Sequence, residues 1–155
     1  MNQLSFYKSV LRSGLIVGIL DGMAACVNAY LARGVMPSAV FRYVASGAFG
    51  SSAFSGSTLM VVYGLLFHLT IAMGWTFLFY WASTKMKLLT NHKIVAGLGY
   101  GIFVWLMMNL MVLPLSNIPP ITYRLAPTLI MIGIHMVVIG LSISLLANRY
   151  FAKKR

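Results

Sequence analysis

Acidic side chains are almost absent from this sequence: its 155 residues include a single Asp or Glu against twelve Lys or Arg, for a formal net charge of +11. Charge of either sign is scarce, 8% of the chain against about 25% in a soluble domain, while 60% is apolar against roughly 45–50%. That composition excludes a soluble enzyme and a disordered tail. A single cysteine, Cys26, excludes an internal disulfide and reads as a small apolar residue within a helix. No HExxH, phosphate-binding glycine loop, GxGxxG after a strand or Ser/His/Asp set on one helix face is present, so an enzyme is not expected. The basic residues flank apolar runs rather than striping a folded surface, which argues against a nucleic-acid partner.

What the chain does contain is four apolar runs of about 20 residues, each long enough at about 1.5 Å per residue to cross a hydrocarbon core of roughly 30 Å. They predict spans over 13–33, 58–82, 94–113 and 126–147, a single transmembrane domain covering 1–155, and an all-α fold: an integral membrane four-helix bundle. The second span ends in Phe77, Phe79, Tyr80 and Trp81, suited to the headgroup level. With an even number of spans, one side holds Lys8, Arg12, Lys85, Lys87, Lys93, Arg149, Lys153, Lys154 and Arg155, and the other only Arg33, Arg42 and Arg124. Basic residues near span ends stay in the cytoplasm, so both termini are expected there. The Lys85–Lys93 loop and the FAKKR tail then rest against anionic lipid of the bilayer. A secretory reading of the N-terminus, with Met23-Ala24-Ala25-Cys26 as a lipoprotein box, is disfavoured. Asp21 interrupts the apolar run, and removing the first span would reverse the charge bias.

Between the first two spans, residues 34–57 are too polar to cross and too apolar for a plain solvated loop. Pro37 suits a first helical turn. Val40, Phe41, Val44 and Ala45 form one apolar face, with Arg42 expected to snorkel outward. A short interfacial helix is expected, or a re-entrant one if protein satisfies its backbone. The other outer connection carries Pro114, Pro119, Pro120 and Pro127 and reads as a rigid cap.

The chain also reads as two copies of one helical hairpin. Gly14-x-x-x-Gly18 opens the first span and Gly97-x-x-x-Gly101 the third. Pro37/Arg42 and Pro120/Arg124 mark the two outer connections, and each second helix carries one central histidine, His68 or His135. Such copies are parallel repeats about an axis along the membrane normal. Gly14, Gly18, Gly22, Gly97 and Gly101 are the expected helix-packing positions, since glycine lets backbones approach closely.

Asp21 lies inside the first span, where an ionisable group costs at least about 2.5–3.5 kcal/mol on insertion scales and is a functional-site candidate by default. Its helical face carries Gly14, Gly18, Ala24, Ala25 and Asn28, small or polar residues that turn it toward protein. Asp21, His68 and His135 lie roughly 18, 15 and 14 Å of helix rise from the outer ends of their spans, all near the midplane. They form the candidate intramembrane polar site. It reads as a structural tie between helices, a proton or cation site, or, for the two histidines, axial ligands of a b-type haem. No other cofactor is expected, and no metal site, because no third His or Cys accompanies the pair. Asn28 and Asn109 are expected to hydrogen-bond across helices. Eleven methionines suit adaptable packing better than a copper path.

The runs GILDGMAACVNAYLARG, VFRYVASGAFGSSAFSG, GLLFHLTIA and YGIFVWLMMNLMVLPLSNIP resemble a group of small uncharacterised bacterial inner-membrane proteins with four spans. The resemblance covers nearly the whole chain and implies a bacterial inner membrane; it brings no substrate or activity. In outline the chain is also similar to small multidrug resistance transporters, which have four short spans and one membrane acid in the first. It departs from them in its long outer segment, its Asp in place of Glu and its two membrane histidines. Two functions follow as expectations. One is a non-enzymatic membrane partner or assembly protein, homo-oligomeric or bound to another membrane protein. The other is a small proton-coupled transporter or channel using Asp21, His68 and His135.

Overall fold

The computed structural model describes residues 3–118 and 124–152, and within them the fold is an all-α four-helix bundle. The long helices are α1 (Gln3–Arg33), α4 (Leu59–Lys85), α6 (Lys93–Met107) continuing through a π-helical stretch (Met108–Val112), and α7 (Leu125–Ile134) continuing through a second one (His135–Leu141) into α8 (Ser142–Ala152). Each of the four is long and apolar enough to cross a membrane. The protein is a multi-pass membrane protein. The first span begins ten residues before the apolar run, because the stretch with Lys8 and Arg12 continues the helix; the fourth likewise runs on to Ala152. Pro119, Pro120, Lys153, Lys154 and Arg155 lie outside the described residues.

The segment between the first two spans holds α2 (Pro37–Phe49), with Pro37 in its first turn, and the short α3 (Ser52–Ser55). Gly50, at φ 60°, ends α2 where an L side chain would be strained. Arg42 does not snorkel: Nη1 donates to the carbonyls of Ala53, at 3.0 Å, and Gly56, at 2.6 Å, tying α2 to the chain that enters α4. Those carbonyls follow the sharp turn and lack helical partners, so a cation beside them is better satisfied there than at the surface. Asn117 holds the far end of α2, its backbone N–H donating to Gly47 and its Nδ2 to Ala48.

Glycines set the helix pairing. A Cβ on Gly14 would stand 2.8 Å from Met73 Cγ, and one on Gly18 2.9 Å from Leu69 Cδ2, so α1 and α4 meet almost backbone to backbone. Gly97 packs as closely on Leu141 and Ser144, and Gly101 on the backbone of His135 and Met136. The two hairpins therefore close in the same way. The equivalence that pairs Gly14 with Gly97 and His68 with His135 also pairs the facing residues Met73 and Gly140, which supports the repeat with contacts as well as landmarks.

The core is concentrated toward the termini. Val17, Phe79, Tyr80 and Ile143 are fully buried there, and Phe6, Tyr80 and Tyr150 meet edge to face or tilted at about 6 Å. Ser13 and Tyr80 share a buried hydrogen bond of 2.8 Å. Ser144 and Asn148 donate to the carbonyls of Lys93 and Thr90, fastening the connection through α5 (Lys87–Asn91) to the fourth span.

Candidate functional site

Asp21 projects from α1 between α4 and the fourth span, since the glycine face of α1 is taken by α4 and Asn28, two turns along, reaches Met131 Sδ at 3.3 Å. Its Oδ2 lies 3.9 Å from His68 Nε2, and the two side chains are 17% and 14% exposed. His135 is within electrostatic range of the same carboxylate. The bundle thus brings the three midplane residues into one neighbourhood without closing them onto a point. Among the described residues, no group of three His, Cys, Asp or Glu side chains is disposed to hold one metal ion.

The hydrogen bonds assign the imidazole tautomers. His68 Nε2 lies 2.9 Å from the Gly18 carbonyl, and a carbonyl only accepts, so Nε2 carries the proton and Nδ1 the lone pair. His135 Nδ1 lies 2.8 Å from the carbonyl of Met131, one turn back, which places the proton on Nδ1 and leaves Nε2 basic. In the neutral ring, each histidine therefore has one nitrogen with a lone pair while the other is anchored to backbone. The Asp21 carboxylate lies 3.9 Å from His68 Nε2, a contact that becomes an ion pair when the imidazole is protonated. An acceptor of this kind in a low-dielectric site attracts a proton, a water or a small cation strongly.

Gly22 is part of the site, because a Cβ there would stand 3.2 Å from His68 Nε2. It is the absence of a side chain at Gly22 that lets the imidazole reach past α1 to the Gly18 carbonyl. Phe41 of α2 covers the same place, its ring edge-on to His68 at 6.1 Å between centroids and its Cζ 3.8 Å from a Cβ built on Gly22. Sequence reading did not connect Phe41 with the site, because the contact joins segments far apart in the chain and Phe41 looks like one of several residues on an apolar face. The usable signal was Gly64, whose position meets the Phe41 carbonyl directly and marks where α2 crosses α4.

His135 opens the π-helical stretch of the fourth span, and Asn109 sits in that of the third, donating to Trp105 O one turn back. A π turn shifts helical hydrogen bonds by one residue, and a polar side chain that bonds to a carbonyl one turn back compensates within the bilayer. Asn28 bonds across helices as expected, whereas the Asn109 bond to Trp105 stays within its own span. No family model, curated protein or solved structure matches the chain, so the chemistry of the site rests on its geometry.

Proposed function

We propose that the protein is a small proton-coupled transporter or channel of the bacterial inner membrane, acting alone or as a homo-oligomer, with Asp21, His68 and His135 as its ion-handling site. The observation that carries this reading is the half-buried Asp21 carboxylate, 3.9 Å from His68 Nε2. An acid at the midplane costs about 2.5–3.5 kcal/mol on insertion scales, so acids kept there mark ion pathways and proton relays, and beside two imidazoles this one can exchange a proton. In this scheme Nδ1 of His68 and Nε2 of His135 accept protons, while Asp21 offsets the charge that develops on either ring. The termini and the basic loop face the cytoplasm, in contact with anionic lipid.

An assembly or partner-binding role draws less support. The glycine stripes that would serve a partner helix are occupied inside the bundle, Gly14, Gly18 and Gly22 by α4 and Gly97 and Gly101 by the fourth span. Haem is disfavoured too. An iron on His68 Nε2 would need the space held by the backbone of Gly18 and Gly22.

The test is reconstitution into proteoliposomes under a pH gradient. Asp21→Asn, close in shape but unable to ionise, is expected to abolish pH-dependent flux while the protein still inserts and purifies as a folded species. Flux equal to that of the parent would overturn the proposal.

A further inference from the structure

The site is closed toward the two ends of the bundle by unequal barriers. Toward the termini lie layers of fully buried side chains, Val17, Phe79, Tyr80 and Ile143, followed by the aromatic cluster around Phe6 and Tyr150, while Val104 is buried at the depth of the site itself. The Ser13–Tyr80 hydrogen bond crosses these layers. Toward the opposite end, the fully buried side chains among the described residues are small: Ala45, Ser46 and Ala53, all on α2 and α3. There Phe49, at the end of α2, stacks on Phe67 and meets Tyr63 on α4, and Phe41 is the side chain that reaches the site. The backbone of α2 at Phe41 crosses α4 at Gly64, only about 7.5 Å along from Leu59, while His68 lies roughly 6 Å deeper. The Phe41 ring spans that gap, ending against His68 and Gly22.

Phe41 is held by the packing of α2 on α4, where its carbonyl meets Gly64 and Ala45 and Ser46 are fully buried, and by polar anchors at the two ends of the segment. Arg42, the next residue, fixes the α2–α3 corner through two carbonyls, and Asn117 grips the last turn of α2. The anchors make no contact with the packed half near the termini, so loosening them moves α2 on α4 while that half keeps its own contacts. We propose that Phe41 is the barrier between the Asp21–His68 site and the membrane face opposite the termini, and that the site exchanges with that face when α2 lifts. This rests on the ion-handling reading of the site but is tested apart from it.

The experiment measures access rather than transport. In a Cys26→Ala background, Asp21→Cys places the only thiol at the site, and its labelling rate by a membrane-impermeant maleimide is followed from each face of oriented vesicles. Adding Phe41→Ala is expected to raise labelling from the face opposite the termini about tenfold, the order of one lost aromatic contact, and to leave the other face unchanged. Phe41→Tyr is expected to keep the parent rate. Should Phe41→Ala not fold, Arg42→Ala, which touches no site residue, is expected to raise labelling from the same face alone. Unchanged rates, or an equal rise from both faces, would overturn the proposal. Because labelling needs no flux, loss of the barrier effect and loss of the Asp21 transport phenotype are separable outcomes.

Discussion

At the scale of single residues, membrane burial turns small polar groups into strong constraints. Ser13 and Tyr80 illustrate this, since each hydroxyl is the other's partner in a region that excludes water. Ser13→Ala leaves the Tyr80 hydroxyl unsatisfied and is expected to cost about 1–3 kcal/mol. The double variant Ser13→Ala/Tyr80→Phe removes both groups and should cost less than the sum of the two single changes. Reversible unfolding in detergent micelles, run as a double-mutant cycle, checks this. The residue types of the candidate site were readable without coordinates because each is anomalous where it stands: one acid in the entire chain, and histidines at matched depth. Phe41 was not readable, because an aromatic residue among apolar ones gives no signal until a crossing helix brings it to His68.

At the scale of elements, glycine spacing was the most informative signal, and the structure gives it a partner. Gly101 presses on the backbone of His135 and Met136, whereas Gly99, two residues earlier on the same helix, faces open space. Gly101→Ala is therefore expected to cost about 1–3 kcal/mol through overpacking, and Gly99→Ala to be neutral or to raise stability by about 0.5–1 kcal/mol through helix propensity. Thermal unfolding of the two variants side by side distinguishes packing from composition. Hydropathy located the four spans but not the helical extension before Ser13 or the α3 turn, because amphipathic and very short helices are set by contacts rather than by apolar length. The π-helical stretches were also hidden: a one-residue shift in hydrogen bonding leaves no mark on apolar periodicity.

At the scale of the whole molecule, Lys8, Arg12, Lys85, Lys87, Lys93 and Arg149 gather at one end, where α1 begins, α4 passes into α6 through α5, and α8 finishes. If those charges set orientation, changing Lys85, Lys87 and Lys93 together to Ala should let a fraction of chains insert the other way round. Reporter fusions to the N-terminus that are active on only one side of the membrane measure that fraction. The hairpin repeat has a consequence for ancestry. A unit that enters and leaves the bilayer on the same face can be copied in tandem without its second copy being inverted, so duplication preserves the orientation signal at every junction. Once two copies are fused, neither must stay self-sufficient. Where the first keeps Asp21 the second has Val104, fully buried, and where the first has Gly22 the second has Trp105. The acid thus stands in one copy only, while each copy keeps its central histidine, His68 or His135.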